Sequence, residues 1–261
     1  MRFALKIAYD GSHFSGFAMQ PDKKTVEGEI LKRLLKTKII ESRKKNRFQY
    51  AARTDKNVSA LGNVVALNAR TNPAKVMCGM DNIWVVGYAS VEENFNPRYA
   101  KCKIYRYYIK NSNIDLKKLE EAAKIFVGEH DFSSFARIDA RNPVRRIDKI
   151  KIHADGVIKI DFYAPSFLWN QVRRMVAALI KVGAGLAEAG DIEDALNGKR
   201  INFGIAPAKN LVLLDVLYDD VHFETIIPDE IAIRKEIYKD AFDYLKYASH
   251  SRNVGNGDSM E

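Results

Sequence analysis

The chain has 261 residues, 47% of them hydrophobic and 29% charged, which is enough apolar material for a sizeable core and excludes intrinsic disorder as the default. Lysine plus arginine outnumber aspartate plus glutamate by 42 to 33, and the resulting formal charge of +9 suits a polyanionic partner such as nucleic acid. Cys78 and Cys102 have no histidine cluster near them, which supports neither a zinc site nor a disulfide framework. No apolar run approaches the roughly 18 residues of a membrane span, so a reducing, cytoplasmic setting away from membranes is expected.

Phe3, Leu5, Ile7 and Tyr9 alternate with Ala4, Lys6 and Ala8, a period of two that predicts a strand ending at the turn-forming Asp10-Gly11. Thr25 is placed to cap a helix whose apolar residues Val26, Ile30, Leu34 and Leu35 run to about Lys38. The charged connection SRKKNR at 42–47 leads through Phe48, Tyr50, Ala51 and Ala52 to Arg53 and Asp55, and a strand follows at 63–68. Further strands are expected at 83–89 and, in KIYRYYI, at 103–109; a helix at 115–127 aligns Leu116, Leu119, Ala123 and Phe126.

The segment around 157–163 reads as a half-buried strand, with Ile158, Ile160 and Phe162 facing one way and Lys159 and Asp161 the other. SFLWNQVRRMVAALIKVG holds the strongest helix of the chain, expected from Phe167 to Val182, 211–219 reads as a buried strand, and a last helix from Pro228 and Asp229 carries Ile233, Ile237, Ala241 and Leu245 before a fraying polar tail. Strands and helices interleave without a βαβ rhythm, a fixed-period repeat or a glycine-rich phosphate loop. The expected class is therefore α+β with mostly antiparallel sheet, and the length favours two lobes.

Three groups of residues could carry chemistry. Arg53 and Asp55, on an extended backbone, point to one face, and a carboxylate between basic groups stays ionised and suits a nucleophile or charge stabiliser. A turn aspartate beside a surface arginine is the commoner reading of such a tripeptide. Arg173 rises from the stripe Trp169, Arg173, Val176, Ile180, where burial would demand a carboxylate partner and snorkelling to solvent is the alternative; Asn170, Arg174, Ala178 and Lys181 lie toward a more polar face. Tyr105, Arg106, Tyr107 and Tyr108 interleave rings with a cation, as base stacking beside a phosphate chain requires and as a packed sheet also would. The histidines are scattered, and His130, in GEHDFSSF, reads as a hydrogen-bonded structural residue.

ARTDKNVSALGNV, CKIYRYYI and FLWNQVRRMVAALIKVGAG, in this order, resemble the aspartate, tyrosine and arginine motifs of the TruA family of tRNA pseudouridine synthases. LKIAYDGSHFSGFAMQ, FNPRYA at 95–100, GEHDFSSF at 128–135 and APAKNLVLLDV at 206–216 extend the resemblance from about residue 3 to residue 223. It implies Asp55 as the catalytic aspartate, Tyr105 as the ring stacked on the target uracil and Arg173 as the partner of Asp55. Arg53, Lys56, Arg106, Tyr107 and Arg174 would bind the substrate.

The resemblance further implies a lobe over 1–100 carrying the aspartate and a lobe over 101–223 carrying the tyrosine and the arginine helix. A helical extension over 224–250 and a frayed tail over 251–261 would follow, with a continuous sheet core, helices on one face and the site in a cleft between the lobes. The implied reaction isomerises uridine in the anticodon stem-loop region of tRNA, with no cofactor and no metal, in a homodimer. A catalytically silent RNA-binding protein on the same scaffold is the competing reading. The chain departs from the family at Asn57 and Asn210, where glycine is usual, and at Phe17, where tryptophan is frequent; asparagine tolerates a left-handed backbone, so both turns are expected to persist.

Overall fold

A computed structural model describes residues 1–110, 113–138 and 142–226, so the helix expected after Pro228 and the polar tail lie outside the described residues. The chain forms two compact units, one made of Met1–Tyr99 together with the chain from Leu213 onward, the other of Ala100–Val212. The sequence places residues 213–223 in the second lobe, whereas in the structure they group with the first unit.

In the first unit, β1 (Arg2–Tyr9) is followed by helix α1 (Val26–Lys36), the two-residue strand β2 (Gln49–Tyr50), β3 (Ser59–Asn68), the single turn α2 (Ala74–Met77) and β4 (Ile83–Val91). β1 pairs antiparallel with β3 on one side and β4 on the other, and β2 adds to β3. The alternation read in β1 does not leave one face wet: every residue of the strand is buried. Ala4 and Ala8 are small enough to pack, and Lys6 is tolerated because its ammonium lies 2.5 Å from Oδ1 of Asp215. The register of β1 shifts near its end against both neighbours, a bulge that re-aims Tyr9.

Helix α1 starts as expected, the Thr25 hydroxyl accepting from the backbone N–H of Gly28 at 3.2 Å. Its apolar stripe is Val26, Ile30, Leu31 and Leu34; Leu35 stays exposed. Glu27, in the first turn, is buried because its carboxylate accepts from Met19 N and pairs with Nε of Arg43, a residue of the charged connection.

The second unit begins with β5 (Cys102–Ile109) and α3 (Leu116–Ile125). The strands β6 (Gly128–Asp131), β7 (Val144–Ile147), β8 (Lys149–Asp155) and β9 (Val157–Ala164) follow, then α4 (Gln171–Gly183) and α5 (Ala189–Leu196). β9 lies antiparallel between β5 and β8, and β6 and β7 form a separate antiparallel pair. The half-buried reading of β9 is corrected: Lys159 and Asp161 are buried as well as Ile160 and Phe162. Leu116, expected on the buried stripe of α3, is at its exposed start.

Helix α4 begins at Gln171, four residues later than the apolar pattern suggests, because Asn170 sits at φ +64° and a left-handed residue cannot be continued backwards as helix. Ala178 is fully buried, contrary to its assignment to a polar face. The chain then passes through β10 (Leu211–Leu217) into the first unit, where β11 (Glu224–Thr225) pairs with β4. The fold is α+β, and the strand pairs described are antiparallel.

Candidate active site

Asp55 lies in the loop between β2 and β3, and hydrogen bonds hold that loop at Ala51, Ala52, Thr54 and Val58. Asn63 of β3 clamps Ala52 on both backbone groups, accepting from Ala52 N at 3.2 Å and donating to Ala52 O at 2.9 Å. The Thr54 hydroxyl is 2.7 Å from the Tyr9 hydroxyl, which also accepts from Asn63 Nδ2 at 3.3 Å. These groups are buried, and burial pushes the Tyr9 phenol far above its ordinary pKa despite the hydrogen bonds from Thr54 and Asn63. The bulge in β1 is what aims Tyr9 at the loop.

The segment preceding α1 forms the other wall. Phe17 donates its backbone N–H to Thr54 O at 3.0 Å, and its ring is buried between Tyr9 and Tyr50, with centroids 5.9 and 4.8 Å away. Phenylalanine suits this position because a ring without a polar atom needs no partner there. Gly16, at φ +110°, lets that segment approach; a Cβ would stand 3.2 Å from Thr54 O and 3.4 Å from Lys56 N. Gly11 is stricter still, since its Cβ would lie 2.1 Å from Val58 O.

Asp55 O accepts from Val58 N at 3.2 Å across Lys56 and Asn57, and Asn57 has φ +68°, the value a type II turn requires at its third residue. The expectation for Asn57 is met. Asn210 instead closes a 3-10 turn, Ala208–Asn210, without a left-handed backbone. With the backbone held in this way, Asp55 is half-buried, and Arg53 and Lys56 are exposed on either side of it.

In the second unit Tyr105 sits on β5, 8% exposed, with the ring of Phe167 edge-on at 5.2 Å. Its neighbour Arg106 is turned inward: Nε and Nη2 each bind one oxygen of Asp161 at 2.7 Å, across the β5–β9 register that puts the two residues opposite one another. Burial alone would lower the pKa of Arg106, but the hydrogen bond and charge of Asp161 outweigh it and hold the guanidinium above its usual value. Tyr107 is buried, its hydroxyl donating to Pro207 O at 3.1 Å. Tyr163, opposite Ile104 on β9, has its phenol pushed up to about 12, first by burial and then by the charge of Asp161.

Arg173 and Arg174 occupy the first turn of α4, both half-buried. Arg173 donates from Nε to Ala206 O at 2.8 Å and from Nη1 to Asn170 Oδ1 at 3.4 Å, while its own carbonyl accepts from Ala206 N at 3.1 Å. The FLWN turn and the APAK segment therefore orient this side chain together. Nε of Arg174 is buried without a hydrogen-bond partner. Among the described residues no three His, Cys, Asp or Glu side chains are grouped as a metal ion would need.

A family model described as tRNA pseudouridine synthase matches residues 122–219. The chain is 44% identical over 259 residues to tRNA pseudouridine synthase A of Thermococcus sibiricus, covering 96% of each chain. The chain belongs to the TruA family of tRNA pseudouridine synthases. The corresponding protein of Thermococcus kodakarensis is 44% identical over 90% of each chain, and that of Methanobrevibacter smithii 36% identical over 85% of each. Among solved structures the archaeal box H/ACA sRNP Nop10–Cbf5 complex aligns at TM-score 0.35 and 14% identity, covering 95% of this chain and 56% of that one, a likeness too slight to bear on function.

In this TruA-family chain the sequence reading missed the residues that hold the Asp55 loop, namely Tyr9, Asn63 and Gly16, and it missed Asp161 as the partner of Arg106. Asn63 carried a usable signal, being a polar residue inside the apolar run Leu61 to Leu67. Gly16 is separated from Asp55 by the whole of α1 and the short strand β2, and nothing in its neighbourhood ties it to that loop.

Proposed function

We propose that the protein isomerises uridine to pseudouridine in the anticodon stem-loop region of tRNA, acting in the cytoplasm as a homodimer. Asp55 is the catalytic carboxylate, Tyr105 stacks on the flipped uracil, and Arg173 is the counter-cation of Asp55. The reaction breaks the N1–C1′ bond, turns the base and joins C5 to C1′; the C5 proton goes to water, and N1 takes up a proton in its place. Asp55 acts as nucleophile or as stabiliser of the positive charge that develops when the glycosidic bond breaks.

The observation that carries this reading is the build of the Asp55 loop. Hydrogen bonds hold the chain before and after Asp55, at Ala52, Thr54 and Val58, while Asp55 itself is half-buried, as a residue needs to be that is rigid and yet reachable by a substrate. Family membership at 44% identity over 96% of the chain supports it. So does the charge of +9, because drawing a nucleotide out of its stack costs a few kcal/mol that phosphate contacts and ring stacking offset. In this scheme Arg53, Lys56 and Arg174 supply the cations. Arg106 and Tyr107, already committed to Asp161 and Pro207, keep β5 in register and thereby hold Tyr105 in place. The assignment of Arg173 rests on the motif order and on the need of an ionised Asp55 for a cation.

The test uses a tRNA transcript tritiated at uracil C5. The protein is expected to release label into water, and Asp55→Asn to abolish release while still binding tRNA. Tight binding by the unaltered protein with no release would instead identify a silent RNA-binding protein.

A further inference from the structure

GEHDFSSF has no part in the scheme above, and its packing leads to a feature outside it. Phe132 and Phe135 are buried against Phe126, at centroid distances of 6.3 and 4.9 Å, and Phe135 stacks on Phe203 at 5.6 Å. Immediately after this aromatic cluster the chain presents Arg137, whose backbone N–H donates to Trp169 O at 2.9 Å and whose guanidinium carbon lies 4.2 Å from the centroid of the Trp169 ring. The pair is therefore built by a backbone bond and a cation–π contact on a buried aromatic base. Yet Trp169 is 43% exposed, and Arg137 is exposed too. A large rigid ring held at the surface under a cation is the combination on which an unpaired base stacks while its phosphate is neutralised.

The position fits a particular base. Trp169 is two residues from Phe167, whose ring meets Tyr105, so their backbones lie no more than ~7 Å apart, about the spacing of neighbouring extended nucleotides. The first turn of α4, with Arg173 and Arg174, follows directly. We infer that Trp169 and Arg137 form a second stacking seat, which takes the unpaired nucleobase adjoining the target uridine. The inference rests on the proposed role of Tyr105. The seat adds binding energy and leaves the chemical step alone.

The chain has two tryptophans, so Trp84→Phe leaves Trp169 as the sole indole reporter. Titration of that variant with tRNA is expected to quench its emission, because a stacked base contacts the indole. Trp169→Ala is expected to weaken tRNA binding and raise KM by about 10-fold with kcat unchanged, Trp169→Phe to recover most of that loss, and Arg137→Ala to raise KM several-fold. Unchanged emission in Trp84→Phe at tRNA concentrations where filter retention shows binding, together with an unaltered KM in Trp169→Ala, would overturn the seat. Failure of the unaltered protein to release tritium from tRNA would instead remove the reading on which the seat depends, and is seen before any variant is made.

Discussion

Around Asp55 the supporting groups are neutral: two hydroxyls, one carboxamide and the backbone meet in a small buried network with no ion pair among Tyr9, Thr54, Asn63 and Ala52. Around Tyr105 the support is ionic, a bidentate pair between Arg106 and Asp161 buried between two strands. Neutral hydrogen bonds are cheap to bury and position a backbone, so they can fix the loop around a carboxylate without adding further charges beside it. A buried ion pair gives little net stability while complete, but it penalises any register in which the two charges do not meet. The loop is thus held in shape, and the strand is held in register.

The difference can be broken first on the ionic side. Asp161→Ala should leave the Arg106 guanidinium buried without its carboxylate and cost about 3–5 kcal/mol in urea unfolding. The double replacement Arg106→Met with Asp161→Leu should recover most of that loss. Recovery absent from the double variant would mean that the pair contributes more than its geometry implies.

On the neutral side, Asn63→Ala should cost less, about 1–3 kcal/mol, since it strands the Ala52 backbone groups rather than a charge. Its effect on turnover should exceed its effect on stability in relative terms, because Asp55 follows Ala52 by three residues. Equal kcat values for Asn63→Ala and the unaltered protein would detach the clamp from function.

Tyr9→Phe should cost about 1 kcal/mol near neutral pH and should also change the response to alkali. The folded-state phenols of Tyr9, Tyr163 and Tyr218 are raised by burial above their ordinary value of about 10. Such groups contribute stability that is fully present below the unfolded-state pKa and is lost as pH rises through the folded one. Thermal unfolding followed from pH 9 to 12 should therefore show a falling Tm that begins near pH 10, and the fall should be shallower in Tyr9→Phe. The smallest effect is expected from Asn57→Gly, within about 0.5 kcal/mol and with activity retained, because the turn already has the left-handed backbone that glycine accepts without strain. Asn57→Val, by contrast, should be clearly destabilised.

Much of the fold was legible because its signals are local. The period of β1, the Thr25 cap and the left-handed Asn57 each depend on residues within a few positions of one another, and each appears as expected. The readings that failed concern what lies across from a residue. Lys159 and Asp161 look solvent-facing in their own strand and are buried, and the helix expected from Phe167 starts at Gln171 because one asparagine adopts a conformation that periodicity does not register. Leu35 and Leu116 fit their helical stripes but stand at helix ends where little packs on them.

The amino-acid order by itself determined the family, the candidate chemistry at Asp55, Tyr105 and Arg173, and the type of most elements. Tertiary structure alone decided the distant partners: Asn63 reaches Tyr9 across 54 positions, Arg106 finds Asp161 across 55, and Lys6 meets Asp215 across 209. A hydrogen-bond or charge partner is selected by strand pairing and register, where a slip of one residue exchanges the two faces of a strand, and that choice is made by the assembled sheet rather than by any short stretch of chain.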